Sequence, residues 1–296
     1  MVPADPERPE PERQRIRLLK NYLLARLLHL TGITPVLARR SARRHRHVLM
    51  LHDILDERRA DLPAACQKGL TVAEADALLE WVGRRFRLLS PEAFLHSDEP
   101  GALLTADDGK ANNATRLLPL LERHDAPALL FVSTRHVRDP RDWLPDARRA
   151  ARTHWKDEDD VPETLARALY DGMSPEQLRR CDRHPLVTIG AHSVNHPRLT
   201  ACTDAELTHE LEEGRGFLER MLEHEVDLLA YPYGDYDARV LQAARDAGYA
   251  ACFAVDRQHY GPLRYEIPRL HVETMRPHYI AAKLSGLARP PLQGRP

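Results

Sequence analysis

No two of the four cysteines in this 296-residue chain (Cys66, Cys181, Cys202 and Cys252) make a Cys-x-x-Cys pair. That excludes a zinc ribbon or a regular disulfide framework, and leaves small apolar core residues suited to a reducing cytoplasm. Glycine is sparse, at 14, and nowhere falls into G-x-G-x-x-G or G-x-x-x-x-G-K-S/T. Nucleotide binding thereby loses its usual phosphate cradle. Excess charge is missing as well: 43 Lys plus Arg stand against 44 Asp plus Glu, so nothing draws the whole chain to nucleic acid. No apolar run reaches the ~18 residues needed to span a bilayer. The start, MVPADPERPEPERQR, is too charged and proline-rich to read as a signal peptide, and the expected location is cytoplasmic.

What is present is enough apolar residue, 43%, to bury a large core. Residues 1 to about 14 read as a disordered tail. Ile16, Leu19, Leu23, Leu27 and Leu30 then recur at helical spacing among Arg13, Arg17, Lys20 and Arg26, with Arg39, Arg40, Arg43, Arg44 and Arg46 following. Two readings stay open. One is an amphipathic helix docked on the domain and trailed by a solvated basic linker. The other is a surface helix resting on anionic lipid, which would make a membrane a peripheral partner. Residues 1–46 are thus set apart from a domain over 47–290.

From Val48 onward, short apolar runs alternate with amphipathic stretches. Candidate strands are Val48–Leu51, Ala102–Thr105, Ala128–Val132, Leu186–Ile189, Val226–Tyr231, Tyr249–Ala254 and Glu266–Leu270. Candidate helices fall near 72–86, 111–124, 175–181, 204–223, 237–247 and 277–287, two of them opened by the capping boxes Thr71/Glu74 and Thr203/Glu206. This alternation predicts an α/β fold: a distorted, incomplete (β/α) barrel of about seven parallel strands, behind an N-terminal helical arm. Residues 139–185, rich in Arg, Asp and Pro, read as an insertion rather than a barrel unit.

Catalytic groups of such a barrel stand at the carboxyl ends of its strands. The second candidate strand ends in Asp107-Asp108-Gly109, where one carboxylate can hold a metal and its neighbour accept a proton from water. The same tripeptide is also ordinary turn chemistry. The fourth is followed by His192 and His196, a spacing that lets two imidazoles share one divalent ion. With 16 histidines in the chain, about one such pair arises by chance, so its position at a strand end is what gives it weight. The fifth strand runs into Tyr231-Pro232-Tyr233-Gly234, either an aromatic-proline turn or a loop whose backbone N–H faces a developing oxyanion. His52 ends the first strand, where a general acid would stand.

Taken together, TADDG (105–109), HSVNHP (192–197) and YPYG (231–234) resemble, in order, three motifs of the polysaccharide deacetylase family, the family four carbohydrate esterases. The resemblance spans roughly residues 47–275. LMLHDI near residue 50 is similar to the family's general-acid motif, moved to the front of the domain as in the permuted branch acting on poly-N-acetylglucosamine. The resemblance implies metal-dependent hydrolysis of the acetamide of an N-acetylated amino sugar, with acetate released. It implies Asp108, His192 and His196 as ligands of one divalent ion, usually zinc, with nickel, cobalt and iron also compatible. Asp107 would be the base, the Tyr233 amide an oxyanion donor, and His52 the acid, with His271 its rival. Tyr231, Pro232 and His271 would border the substrate. Two departures stand out. Ala106 replaces the usual aromatic, and Ala230 stands where many members have an arginine that orients the base; Arg269 could supply that group from elsewhere. Two other readings remain open: a deacylase or deformylase of a lipid-linked sugar, and a carbohydrate-binding relative that has lost catalysis.

Overall fold

The computed structural model describes residues 27, 28, 30–272 and 277–285. The expected tail and most of the helix expected over 16–30 lie outside the described residues. Eight strand segments form one sheet: β1 (Arg46–Leu51), β2 (Gly101–Ala106), β3 (Ala128–Val132), β4 (Val187–Ala191), β5 (Leu228–Ala230), β6 (Ala251–Ala254), β7 (Ile267–Pro268) and β8 (Leu270–His271). Every pairing is parallel, in the order β8-β1-β2-β3-β4-β5-β6-β7. The sheet is therefore a nearly closed barrel. The seventh strand of the sequence reading is two segments. Ile267 pairs with Phe253 of β6, Leu270 pairs with Leu49 of β1, and Arg269 sits in the break between them.

Period-two alternation sorts the strand residues into two layers. Val48, Leu103, Phe131, Ala230, Phe253 and Ile267 belong to one buried cluster inside the barrel. Leu49, Leu104, Leu130, Ile189 and Leu229 face the surrounding helices in a larger one. The short helix Pro91–His96 adds Phe94 and Leu95 to the inner cluster and plugs the amino end of the barrel. Arg46 holds this plug, donating from one guanidinium nitrogen to the carbonyls of Phe94 at 2.8 Å and Ser97 at 3.0 Å. It is a buried strand residue, and the basic stretch before it is structured too. Ile33–Ala42 forms a helix that buries Thr34, Ala38, Ser41 and Ala42 and packs on the helix Pro277–Leu284. A solvated linker was expected there because the arginines mask this small-residue face.

Capping boxes start the helices Val72–Gly83 and Asp204–Thr208 where the sequence places them. Two of the expected helices each contain a π-turn, at Asn113–Leu117 and His209–Glu213. Wider turns of this kind recur at functional sites, and these two send Asn113 and Glu210 to the loops at the carboxyl end of the barrel. Between β3 and β4 the chain makes helices and, at Gly172, one isolated antiparallel bridge to Lys110. Trp143, Ala147, Val161, Ala166 and Tyr170 give this stretch a small core of its own. Among the described residues, no helix is long and apolar enough to cross a membrane.

Candidate active site

The alternation that builds the barrel continues past its strand ends. His52 shares the inward face of Val48, Asp107 that of Leu103 and Thr105, His192 that of Gly190, and Arg269 and His271 that of Ile267. Five chemistry-bearing side chains thus meet over the barrel axis at its carboxyl end. Asp108 has the opposite parity, and its left-handed backbone (φ 77°) turns it back toward them. Gly109 completes the turn at φ 70°; a Cβ there would lie 2.8 Å from the Val132 side chain, so no other residue fits.

Asp108, His192 and His196 place one donor atom each within 4.8 Å of one another. Asp108 Oδ1 is 3.8 Å from His192 Nε2 and 3.6 Å from His196 Nε2, and the two Nε2 atoms are 3.2 Å apart. His192 Nδ1 is 2.7 Å from the Ala230 carbonyl, so Nδ1 carries the proton and Nε2 presents its lone pair. Burial holds both imidazoles neutral; for His196, with His192 beside it, the pKa falls to about 4. Burial alone would raise the Asp108 carboxyl, but His196, once protonated in acid, and Lys110 outweigh it and hold its pKa below the ordinary carboxylate range. Two neutral imidazoles and one carboxylate, converging on one point, fit a divalent transition-metal ion.

The loop bearing the histidines is strained, with Ser193 at φ 63° and His196 at φ 56°. Glu210 restrains it from the second π-turn. Its Oε2 accepts from the amides of Val194 at 2.9 Å and Asn195 at 2.8 Å, and its Oε1 from the Asn195 side chain at 2.7 Å. Asp108 is pinned likewise. His136 accepts the Leu144 N–H at Nε2 (2.9 Å) and turns Nδ1 to the Asp108 carbonyl (3.3 Å), with burial lowering its pKa to about 3. The sequence gives no local sign of Glu210 or His136, because each acts on a distant element, chiefly through backbone groups.

Asp107 is fully buried beneath the cluster, with Oδ2 3.8 Å from His192 Nε2. Arg269 grips it with two parallel bonds, Nη1 to Oδ1 at 2.6 Å and Nη2 to Oδ2 at 2.8 Å. Burial pushes this carboxyl up, yet the Arg269 guanidinium, with His192 and His52, holds it below the ordinary carboxylate range. The fork comes from the break between β7 and β8, not from position 230, whose small side chain is part of the inner core.

His52 and His271 form the facing wall, with ring centroids 4.8 Å apart. The Asn113 amide from the first π-turn donates to the His52 carbonyl at 2.8 Å, while the ring's buried Nδ1 has no partner among the described residues. Both histidines, with Asp53, Lys110, Asp146 and Tyr170, line a cavity of about 540 Å³ that reaches Asp108. The helical stretch between β3 and β4 walls one side: Tyr170 Oη donates to the Cys66 carbonyl at 3.2 Å, and Cys66 Sγ lies 3.3 Å from the Ala150 carbonyl. Lys110 is 4% exposed, and no sequence motif singled it out.

Tyr233 occupies the left-handed position of the turn Pro232–Gly234, its ring 4.6 Å from that of His196. Tyr231 is elsewhere. It shares the outward parity of Leu229, is fully buried, stacks on Tyr236 at 4.9 Å and donates to the Tyr265 carbonyl. Tyr231 is therefore a core residue and does not border the cleft; Pro232 is likewise buried, at the start of the turn. Strand parity, read from Leu229, would have told Tyr231 from Tyr233.

A family model described as polysaccharide deacetylase matches residues 96–252, more than half of the chain. The chain belongs to the polysaccharide deacetylase family. The matched stretch of this deacetylase-family chain includes Asp107, Asp108, His192, His196 and Tyr233, and leaves His52, Arg269 and His271 outside. The Bacillus subtilis (strain 168) protein YxkH is 21% identical over 184 residues, covering 60% of this chain. The match spans 55% of that relative's own length. IcaB from Ammonifex degensii superposes with a TM-score of 0.60 at 19% identity, over 81% of this chain and 97% of that one. A de-N-acetylase from Aggregatibacter actinomycetemcomitans gives 0.60 at 16% identity, over 81% and 99%. At these identities both likenesses speak to the fold, and they extend it well beyond residues 96–252.

Proposed function

We propose that this chain is a metal-dependent N-deacetylase that hydrolyses the acetamide of an N-acetylated amino sugar in a polysaccharide or glycoconjugate, leaving a free amine and releasing acetate. The observation that carries the reading is the buried Asp107–Arg269 pair set directly beneath the Asp108, His192 and His196 cluster. The family and the de-N-acetylase with the same fold support the substrate class. Asp108, His192 and His196 would hold the ion, with zinc favoured by two imidazoles and one carboxylate. When bound, such an ion polarises a carbonyl and makes water more acidic.

The chain's own residues do the rest. Asp107, ionised and aimed by Arg269, takes the proton from the attacking water as the hydroxyl oxygen bonds to the acetyl carbon. The Tyr233 amide, on the turn beside His196, holds the oxygen that gains negative charge. An amine leaves poorly unless protonated, so the C–N bond breaks as His52 delivers a proton to nitrogen. His271 supports the His52 ring and borders the sugar. Arg269 supplies the guanidinium missing at position 230, which disfavours the reading of a relative without catalysis. The scattered free thiols suit a reducing compartment. The deciding experiment pairs metal content with acetate release from N-acetylglucosamine oligomers. A metal-loaded protein that releases no acetate from any of them would overturn this reading.

A further inference from the structure

The amino end of the barrel carries a surface that the chemistry at the carboxyl end does not use. Five large apolar side chains are exposed among the described residues. Four of them fall within ten positions: Leu27 at 58%, Leu30 at 74%, Ile33 at 45% and Val36 at 61%. The helix Ile33–Ala42 carries Arg39 in its last turn and ends at Arg43, and both line a surface groove of about 330 Å³ with Arg84 and Arg85. Arg84 is paired with Glu80 and Arg85 lies over the Trp81 ring. Among the described residues, neither Arg39 nor Arg43 has an ion pair. The grouping continues along the chain: from Arg13 to His52 there are ten Lys and Arg and no Asp or Glu, in a protein whose net charge is −1. Apolar side chains beside a one-sign cationic groove match a surface that is negatively charged outside and apolar just beneath.

We propose that this face docks the protein on an anionic phospholipid bilayer. Leu27, Leu30, Ile33 and Val36 enter the headgroup boundary, and Arg39 and Arg43 meet lipid phosphates. The face has a fixed relation to the cleft. The Arg87 carbonyl accepts from Ala102 at the start of β2, and the His45 carbonyl accepts from Gly101, so the groove lies by the amino ends of β1 and β2. The active site opens at their carboxyl ends. A docked molecule therefore turns its cleft away from the bilayer, toward glycan that extends from it rather than toward a sugar next to a lipid anchor.

The test is flotation of the full-length protein with vesicles of phosphatidylcholine, alone or mixed with phosphatidylglycerol. The expected result is binding to the mixed vesicles only, weakened by added salt. In Arg39→Gln/Arg43→Gln the affinity should drop roughly 30-fold, since each cation near such a surface contributes about 1 kcal/mol. Val36→Asp should weaken binding at every salt concentration. Turnover of a soluble oligosaccharide should stay unchanged in all of these variants, which keeps this proposal separate from the deacetylase reading. Equal binding to neutral vesicles, no binding at low salt, or full affinity in Arg39→Gln/Arg43→Gln would overturn it. So would a concentration-dependent dimer abolished by Val36→Asp, which would assign the face to a second copy.

Discussion

The two walls of the cleft are built differently. On one, the base and one ligand are held by side-chain bonds, Asp107 by the Arg269 fork and His192 by the Ala230 carbonyl, while Glu210 and His136 fix the backbone that carries His196 and Asp108. On the other, His52 and His271 touch ring to ring, and His52 Nδ1 is left without a partner among the described residues. Groups that hold an ion and align water gain from being fixed before substrate arrives, because no reorganisation is then needed during reaction. A group that must meet a leaving nitrogen and exchange its proton gains from a looser setting. The difference assigns pre-organisation to one wall and adjustment to the other.

The comparison breaks most sharply at the fixed wall. His196→Ala should lose both metal and activity, whereas Asp107→Asn should keep the metal and lose about 10⁴-fold in rate, because an amide cannot accept the proton. Metal analysis beside single-turnover acetate release would check both, and full metal occupancy in His196→Ala would remove His196 from the ligand set. At the looser wall, His52→Ala should keep the metal and lose about 10²–10³-fold on an N-acetyl sugar. It should lose far less on an activated acetate ester, whose leaving group needs little protonation. Equal losses on the two substrates, or a larger amide loss from His271→Ala, would shift the acid role.

A subtler change touches the support of the fixed wall. Glu210→Gln keeps the shape but weakens three hydrogen bonds to the histidine loop. Metal affinity should fall about tenfold while kcat at saturating metal stays nearly wild type, the signature of a positioning residue. An unchanged affinity would show that the loop holds its own conformation.

These roles were unequally legible in the sequence. Asp107, Asp108, His192 and His196 lie in compact motifs, and strand parity is enough to turn most of them inward. Arg269 was legible only as a candidate, because pairing across the β7–β8 break depends on which neighbours each half meets, and local alternation does not encode that. Tyr231 was misplaced when its motif was read as a unit, although each residue of a strand end faces its own way. Glu210 and His136 were missed because their partners, mostly backbone groups, lie on other elements. In the fold, the runs around Val48, Ala102 and Ala128 announced their strands plainly. The helix Ile33–Ala42 was hidden by four arginines around a buried face of small residues.

The effect that should leave turnover untouched lies far from both walls. His47, on β1, is buried, with Nε2 2.9 Å from Ser41 Oγ, and burial followed by the nearby His45 charge lowers its pKa from 6.5 to about 4. The folded state therefore binds fewer protons here than the unfolded chain between those values. The contribution is complete above pH 6.5 and is lost as pH falls toward 4, amounting to at most about 3 kcal/mol. Denaturant midpoints across this window should be shallower in His47→Gln than in wild type, with turnover at neutral pH unaffected.

The break between β7 and β8 has a wider consequence. One five-residue segment closes the barrel, with its first half paired to β6 and its second to β1, and Arg269 reaches Asp107 from the gap between them. The seam of the barrel and the latch on the base are thus the same piece of chain. A protein with its seam unzipped would keep most of its core and every metal ligand, yet its base would swing untethered. Seam closure is the last long-range join that the topology requires, since it ties the end of the domain to its beginning. Catalytic competence then reports whether the seam is closed, and amide exchange at Arg269 and Val272, whose N–H groups bond to the Ala254 and Met50 carbonyls, would read the opening free energy of that latch.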